Sequence, residues 1–357
     1  MLIICPWAVA AQEESIVEQA TATRRVPVIA VTGHLGAGKT GVLNHLLRTS
    51  GARLGVIIND FGTLNVDAAL VAGQIDQAAS IAGGCLCCLP DAGGLDQALA
   101  TLSQPRLRLD AILIEASGAA EPLALNRLIA SSDAARVRPG GMIDVVDAVA
   151  HFSTVDTTPL PPARYAAATL IVVGKTDLLT EPERAATIER IRSRIGSCNP
   201  HAHLVVARQG RIDPALVFDT TAAQHLQDEL PFTSPHDHRE HDHQHTQAVS
   251  RALPHAISPG ALIDLLESPP GGAYRIKGRV RVTGTTTERG YLVNLVGPMI
   301  HISALPAPPT VGELVVIGLD LDTADTQRAL RRVTETEAER PDGAGLNRLR
   351  RYHRLSR

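Results

Sequence analysis

The residues best able to do chemistry fall into five short groups. Gly33, His34, Leu35, Gly36, Ala37, Gly38, Lys39 and Thr40 match the pattern G-x-x-x-x-G-K-[ST]. Glycines there let backbone N–H groups converge on phosphate oxygens, and a helix opening behind the loop adds its positive end. Lys39 would reach the β- and γ-phosphates and Thr40 would ligate Mg²⁺. Cys85, Cys87 and Cys88 put three thiols beside Gly83 and Gly84. Thiolates are preferred ligands of Zn²⁺, with Co²⁺ and Ni²⁺ as alternatives, and three of them leave one tetrahedral position open for a metal that must leave again. Glu115 closes an apolar run, with Gly118 just beyond it. An acid so placed after a phosphate loop holds Mg²⁺, and the glycine N–H senses the γ-phosphate. Gly174, Lys175, Thr176 and Asp177 end another run and resemble N-K-x-D, in which Asp accepts from guanine and the Lys stem packs on the ring; Gly174 stands where Asn is expected. Finally, His236, His238, His241, His243 and His245 are interleaved with Asp237, Glu240 and Asp242. Such an arm binds Zn²⁺, Ni²⁺ or Co²⁺ in many geometries and would feed the thiols. The same composition also suits a solvated linker whose imidazoles titrate near pH 6.5.

Lysine usage adds weight to these groups. Of 34 Lys and Arg residues only Lys39, Lys175 and Lys277 are Lys. A chain that uses Arg nearly everywhere keeps Lys where a compact ammonium on a flexible stem is needed.

These groups need a scaffold. Residues 26–32, 54–58, 111–114, 142–146, 169–173 and 203–206 are short apolar runs, the pattern of strands buried on both faces. Helical patterns over residues 41–48, 123–129 and 181–195 lie between several of them. This alternation predicts an α/β fold, a mostly parallel sheet with flanking helices. Helices over residues 259–267 and 325–333, with strands over 274–283, 290–296 and 313–317, predict a smaller C-terminal α+β domain. The expected division is an unstructured leader over residues 1–25, a nucleotide domain over 26–232, a His-rich linker over 233–252, the second domain over 253–333 and an Arg-rich tail over 334–357. The tail lacks core periodicity and reads as a solvated end.

Composition bounds the function. A length of 357 residues suits roughly two domains. The formal charge of -3 excludes a chain built to coat nucleic acid or an anionic membrane. Hydrophobic residues at 44% exclude a disordered chain. No apolar run reaches the roughly 20 residues of a membrane span. Cys5 and Cys198 stand alone and no disulfide framework is visible, which points to a reducing cytoplasm. The apolar N-terminus lacks the positive region of an export signal.

In their order, the motifs resemble the CobW-type P-loop GTPases, relatives of the nickel-chaperone GTPases. The phosphate loop comes first. Asn59-Asp60-Phe61-Gly62, followed by Asp67, resembles the family's N-E-F-G segment. Gly83 through Cys88 matches G-G-C-[IL]-C-C, the most specific signature, and Glu115 through Pro122 matches E-x-[ST]-G-x-x-x-P. Val145-Val146-Asp147-Ala148, Asn199-Pro200 and Arg275-Ile276-Lys277-Gly278 also fit. Asp60 stands for the usual Glu, Gly174 for Asn, and Arg164 and Thr169 for the frequent Gln and Asp.

The resemblance implies a P-loop NTPase fold with a CobW-type C-terminal domain. It implies GTP and Mg²⁺ as cofactors and slow intrinsic hydrolysis carried by Lys39, Thr40, Asp60, Glu115 and Gly118. It places Cys88 near the nucleotide and lets Asp60 join Cys85, Cys87 and Cys88 at the metal. GTP would order the segment around Asn59 to Asp67, and hydrolysis would release metal to a client metalloprotein. A client and a homodimer are the expected partners; nucleic acid and membrane are not. Two further readings stay open on the residues: a nucleotide-gated metal buffer or sensor without a client, and a P-loop hydrolase that uses ATP.

Overall fold

A computed structural model of the chain describes residues 25–49, 52–58, 77–80, 93–118, 121–218, 246–335 and 342–356. The apolar runs form strands β1 (Val26–Gly33), β2 (Leu54–Ile58), β4 (Ala111–Glu115), β5 (Val137–Asp147), β6 (Leu170–Gly174) and β7 (His203–Val206), joined by a short β3 (Gln77–Ser80). Their order is β3-β2-β4-β1-β5-β6-β7. Every pairing is parallel. One cross-strand row therefore runs Ser80, Ile58, Glu115, Val31, Ile143, Leu170, His203. Because the strands are parallel, all their carboxyl ends lie on one edge of the sheet, where α/β folds bind ligands.

Strand residues alternate between two layers of core. Ile29, Val31 and Val56 face Val42, Leu43 and Leu46 of α1 (Lys39–Thr49). Val28, Ala30, Ile112 and Ile114 face Leu95 and Leu99 of α2 (Gly93–Leu102) and Leu125 and Ile129 of α3 (Pro122–Ala130). The Glu121 carboxylate caps α3 by accepting from the N–H groups of Leu123 and Ala124. A short α4 (His151–Thr154) follows β5, and α5 (Glu181–Gly196) opens on a Thr180–Glu183 capping box.

The second domain is a wholly antiparallel sheet in the order β11-β10-β9-β12-β8. It comprises β8 (Thr246–Leu253), α6 (Pro259–Glu267), β9 (Ala273–Val282), β10 (Arg289–Val296), β11 (Met299–Ala304), β12 (Gly312–Leu319), α7 (Thr323–Glu335) and α8 (Gly343–Leu355). The helices bury Leu262, Leu266, Leu330 and Leu349 against Ile276, Val280, Val293, Leu314 and Val316.

The sequence reading needs correction at four places here. The segment read as an aperiodic tail holds α8. Its Leu346 and Leu349 are buried, Asp342 caps it at Gly345 N, and Arg348 pairs with Asp264 and Glu267 of α6. The apolar stripe is only a few residues long, so the surrounding arginines mask its period. The expected linker ends too late, because β8 starts at Thr246 and supplies the sheet's edge. Strand β3 was missed because Gln77-Ala78-Ala79-Ser80 has no large apolar side chain; pairing with β2 holds it. Strand β11 was missed as the return limb of a hairpin with β10. The expected leader, but for Arg25, the last residues of the expected nucleotide domain (219–232) and residues 233–245 of the expected linker lie outside the described residues.

The domains meet at the amino ends of the parallel strands. Tyr274 OH lies 3.1 Å from Thr169 Oγ1, its ring centroid lies 5.0 Å from that of His203 with the planes tilted by 58°, and Val296 and Leu319 join the core around α1. Arg275 Nη1 donates to the Ala215 carbonyl at 3.1 Å. Among the described residues no helix is long and apolar enough to cross a membrane.

Candidate functional site

The carboxyl edge carries a loop shaped for phosphate. Strand β1 runs into Gly33 (φ +149°), and Gly36 (φ +75°) and Gly38 (φ +102°) also take backbone conformations that favour glycine. A Cβ on Gly33 would stand 2.6 Å from the Val145 carbonyl oxygen, so β5 itself excludes any side chain there. Ala37 N donates to the His34 carbonyl at 3.0 Å, and Val42 N to that of Gly38 at 3.1 Å, which opens α1. No acidic residue occupies the first turn of α1, so its positive end is available to an anion. Lys39 Nζ folds over the loop, 3.1 Å from the Gly33 carbonyl and 3.3 Å from that of His34.

Thr40 Oγ1 donates to Glu115 Oε1 at 2.7 Å. A hydroxyl and a carboxylate are hard oxygen donors, and the pair suits Mg²⁺. Gly118 presses on the loop from β4: a Cβ there would stand 2.7 Å from Leu35 N. Any substitution at Gly118 therefore displaces the phosphate loop.

The neighbouring half of the edge is built differently. Asp147 of β5 is paired in register with Gly174 of β6. Lys175 adopts the left-handed conformation (φ 58°), and its Nζ lies 2.6 Å from Asp147 Oδ2. Burial alone would raise the Asp147 pKa, but the Lys175 ammonium and the N–H groups of Ala150 and Val149 hold it below the usual carboxylate range. The turn Thr176–Leu178 presents Asp177 to solvent and is tied to α5 by Arg184 Nε, 2.9 Å from the Thr176 carbonyl. A Cβ on Gly174 would meet the Ala37 carbonyl at 3.8 Å, which puts the Gly174–Asp177 turn beside the phosphate loop.

Behind this half lies a buried ionic network. Asp144, inside β5, takes two bonds from Arg164 at 2.8 and 3.0 Å and one from Thr32 Oγ1 at 2.8 Å. His151 bonds to Tyr165 OH, which donates to Asp156 at 3.2 Å; Asp156 is also paired with Arg194. Burial drives the His151 pKa down to about 4. Asp156 would be raised by burial, but the Arg194 bond holds it low. A cavity of about 150 Å³ opens between this network and the phosphate loop, lined by His34, Leu35, Asp147, His151 and Arg164.

The structure thus gathers Gly33 to Thr40, Glu115, Gly118 and Gly174 to Asp177 on one edge. The Arg164 departure is explained by its pairing with Asp144, and that of Thr169 by its bonds to Met142 and Tyr274. The expected metal residues Asp60, Cys85, Cys87, Cys88, His236, His238, His241, His243 and His245 lie outside the described residues. Sequence reasoning assigned no role to Asp144, Asp147 or His151. A signal for Asp144 was present, because an acid inside an apolar strand demands a partner.

Two family models match the chain in this arrangement. Residues 27–206 match the CobW/HypB/UreG nucleotide-binding domain. Residues 246–334 match the cobalamin synthesis protein CobW C-terminal domain. The chain belongs to the CobW/HypB/UreG family. Among its curated relatives, the zinc chaperone YjiA of Escherichia coli K12 is 30% identical over 60% of this chain and 67% of its own length. The zinc chaperone CobW of a Sinorhizobium species is 29% identical over 86% of this chain and 96% of its own. The crystal structure of Zn(II)-bound YjiA GTPase is 21% identical to the chain, covering 87% of it and 99% of YjiA, with a TM-score of 0.41. Within the CobW/HypB/UreG family, the α/β domain with the phosphate loop is the nucleotide-binding part.

Proposed function

We propose that the protein is a GTP-hydrolysing metallochaperone that carries Zn²⁺ on Cys85, Cys87 and Cys88 and passes it to a client metalloprotein. The observation that carries this reading is the strand row Ser80, Ile58, Glu115, Val31. Ser80 precedes the thiol segment, Ile58 precedes Asn59-Asp60, and Glu115 touches Thr40. Three strand spacings, about 14 Å, separate Ser80 from Val31. Cys85 follows Ser80 by five residues in the sequence, a length of chain that reaches at most about 18 Å when extended. That reach spans the distance to the phosphate loop. The names of the relatives, zinc chaperone and zinc-regulated GTPase metalloprotein activator, support the same reading.

The chain's own residues divide the work. The loop amides and Lys39 hold the phosphates, and Lys175, positioned by Asp147, and Asp177 read the base. Thr40 and Glu115 would hold Mg²⁺, which when bound supplies charge neutralisation on the phosphates. Gly118, already in contact with Leu35, senses whether the γ-phosphate is present. Catalysis is positioning and charge stabilisation, which fits slow turnover. Asp60 joins the metal site, and His236, His238, His241, His243 and His245 collect metal for it.

The decisive experiment measures Zn²⁺ affinity of the full chain with a non-hydrolysable GTP analogue and with GDP, each with Mg²⁺. A difference of tenfold or more is expected, matched by the same factor in nucleotide affinity with and without zinc, because binding couplings are reciprocal. Ser at Cys85, Cys87 and Cys88 should abolish the difference. Equal zinc affinity in the two nucleotide states refutes the coupling. Zinc transfer to an apo-metalloprotein, with and without hydrolysable GTP, then separates a chaperone from a buffer.

A further inference from the structure

Three side chains behind the phosphate loop fix the state of a fourth. Asp156 is ionised: burial would raise its pKa, but the Arg194 pair holds it low. A carboxylate only accepts, so Tyr165 OH gives Asp156 its single hydrogen, at 3.2 Å. The Tyr165 oxygen can then only accept from its other partner, Nε2 of His151. His151 therefore carries its proton on Nε2, and Nδ1 keeps a lone pair. Among the described residues Nδ1 has no hydrogen-bond partner, yet it does not belong to the partnerless polar atoms sealed from solvent, as both ring nitrogens of His301 do. The His151 side chain is otherwise buried and lines the cavity of about 150 Å³, so the surface left to it opens there.

That cavity borders the γ end of the phosphate loop. His34 and Leu35 line it too. Gly118 packs on Leu35, and Lys39 Nζ rests on the His34 carbonyl. Both carboxylates on the cavity are already committed, Asp147 to Lys175 and the N–H groups of Val149 and Ala150, and Asp144 to Arg164 and Thr32. The space admits water, whose share of volume is about 30 Å³. We propose that His151 Nδ1 accepts a hydrogen bond from the attacking water of GTP hydrolysis, which makes His151 a catalytic residue. This inference rests on the GTP-hydrolysis reading above. The water oxygen bonds to the γ-phosphorus, the bond from that phosphorus to the β–γ bridging oxygen breaks, and GDP leaves with the electron pair. Both water protons end on the released phosphate. His151 orients the water without taking its proton: burial holds the ring's pKa at about 4, against the partial offset of Asp156, Asp144 and Asp147, with Arg164 acting the same way as burial. Tyr165 and Asp156 are positioning residues that fix the tautomer.

The first measurement needs no nucleotide. Long-range ¹H–¹⁵N correlation of the imidazoles in the full chain at pH 7, with His151 assigned by the signals lost in His151→Gln, should show the Nε2-protonated tautomer. Tyr165→Phe should turn it into a mixture. An Nδ1-protonated ring in the wild-type chain overturns the proposal. The second measurement is single-turnover hydrolysis at saturating GTP and Mg²⁺, beside binding of a non-hydrolysable analogue. His151→Phe keeps a ring but no acceptor, and its rate should fall by about 10–100-fold with analogue affinity within about twofold of wild type. His151→Gln, whose amide oxygen accepts, should keep more of the rate, and Tyr165→Phe should lose about three- to tenfold. Wild-type rates in the folded His151 variants overturn the proposal; if neither folds, the wild-type tautomer and the Tyr165→Phe rate decide. A wild-type chain that neither binds the analogue nor turns over GTP refutes the nucleotide reading and this inference with it, whereas turnover that the variants leave unchanged refutes the inference alone.

Discussion

The two halves of the sheet's carboxyl edge are built on opposite plans. The phosphate half, at β1 and β4, is shaped by backbone: three glycines at positive φ, a lysine resting on loop carbonyls and one Thr40–Glu115 bond. The base half, at β5 and β6, is braced by side chains: Asp144 with Arg164, Asp147 with Lys175, and Asp156 with Arg194. Backbone amides cradle an anion without needing rotamers to be fixed. Under the proposed function this half reads a planar base, a task that needs a lysine and an aspartate held at set positions, and the ion pairs brace it in advance. The contrast predicts that damage to the base half is felt as lost stability, and damage to the phosphate half as lost binding.

The largest effect is expected at Asp156. Its side chain is fully buried, and removing it takes the carboxylate from Arg194, which among the described residues keeps only the Thr158 and Pro159 carbonyls as acceptors, and from the Tyr165 hydroxyl, which keeps His151. Asp156→Ala should cost about 3–5 kcal/mol in urea unfolding, the usual result of breaking a buried pair; a cost under about 1 kcal/mol would mean the network braces nothing. Lys39→Ala is the converse case. GTP affinity should fall by about 10²–10³-fold, with the urea midpoint nearly unmoved, since charge-assisted phosphate bonds are lost but no core is disturbed. Wild-type affinity in that variant would refute the phosphate-loop assignment.

Acid should loosen the base half next. His151 takes up a proton near pH 6.5 when unfolded but only near pH 4 when folded. The unfolded chain thus binds the extra proton between those values, and stability falls as pH drops through that window, by on the order of 3 kcal/mol. Above pH 7 the group contributes no slope. A pH series of urea midpoints on wild type and His151→Asn would show the limb shrinking in the variant; an unchanged limb assigns it elsewhere.

Asp147→Asn removes the partner of a lysine that is 38% exposed, so stability should change by only about 0.5 kcal/mol. The preference for GTP over ATP should drop about fivefold as Lys175 loses its anchor. Competition between the two nucleotides reads this directly. The smallest change expected is a gain. At Gly174 an added Cβ meets nothing closer than 3.8 Å, so Gly174→Asn fits and its amide can reach the Ala37 carbonyl. GTP should bind about two- to fivefold tighter. A loss of binding would show that this chain needs a glycine there.

How much was legible in the residues varied with the distance between interacting groups. The parallel sheet could be read because six of its seven strands are apolar runs, and the phosphate loop because every requirement falls within eight consecutive positions, Gly33 to Thr40. Strand β3 and helix α8 were not legible, since one lacks large side chains and the other shows too short a stripe among arginines. Asp144 hinted at a partner but did not name Arg164, 20 residues on.

By itself the sequence determined the loop that holds phosphate, the strand that ends in Glu115 and the run of motifs that places the chain in its family. These depend on local backbone rules: which residues tolerate positive φ, where a strand stops and where a helix begins. Tertiary structure alone decided that Asp147 would hold Lys175, that His151, Tyr165, Asp156 and Arg194 would form one chain of bonds, and that Arg25 would donate to the Ser356 carbonyl across a seam. Buried charges and imidazoles must find partners wherever the packed layers bring them, and composition and spacing along the chain do not record which residues those layers bring together.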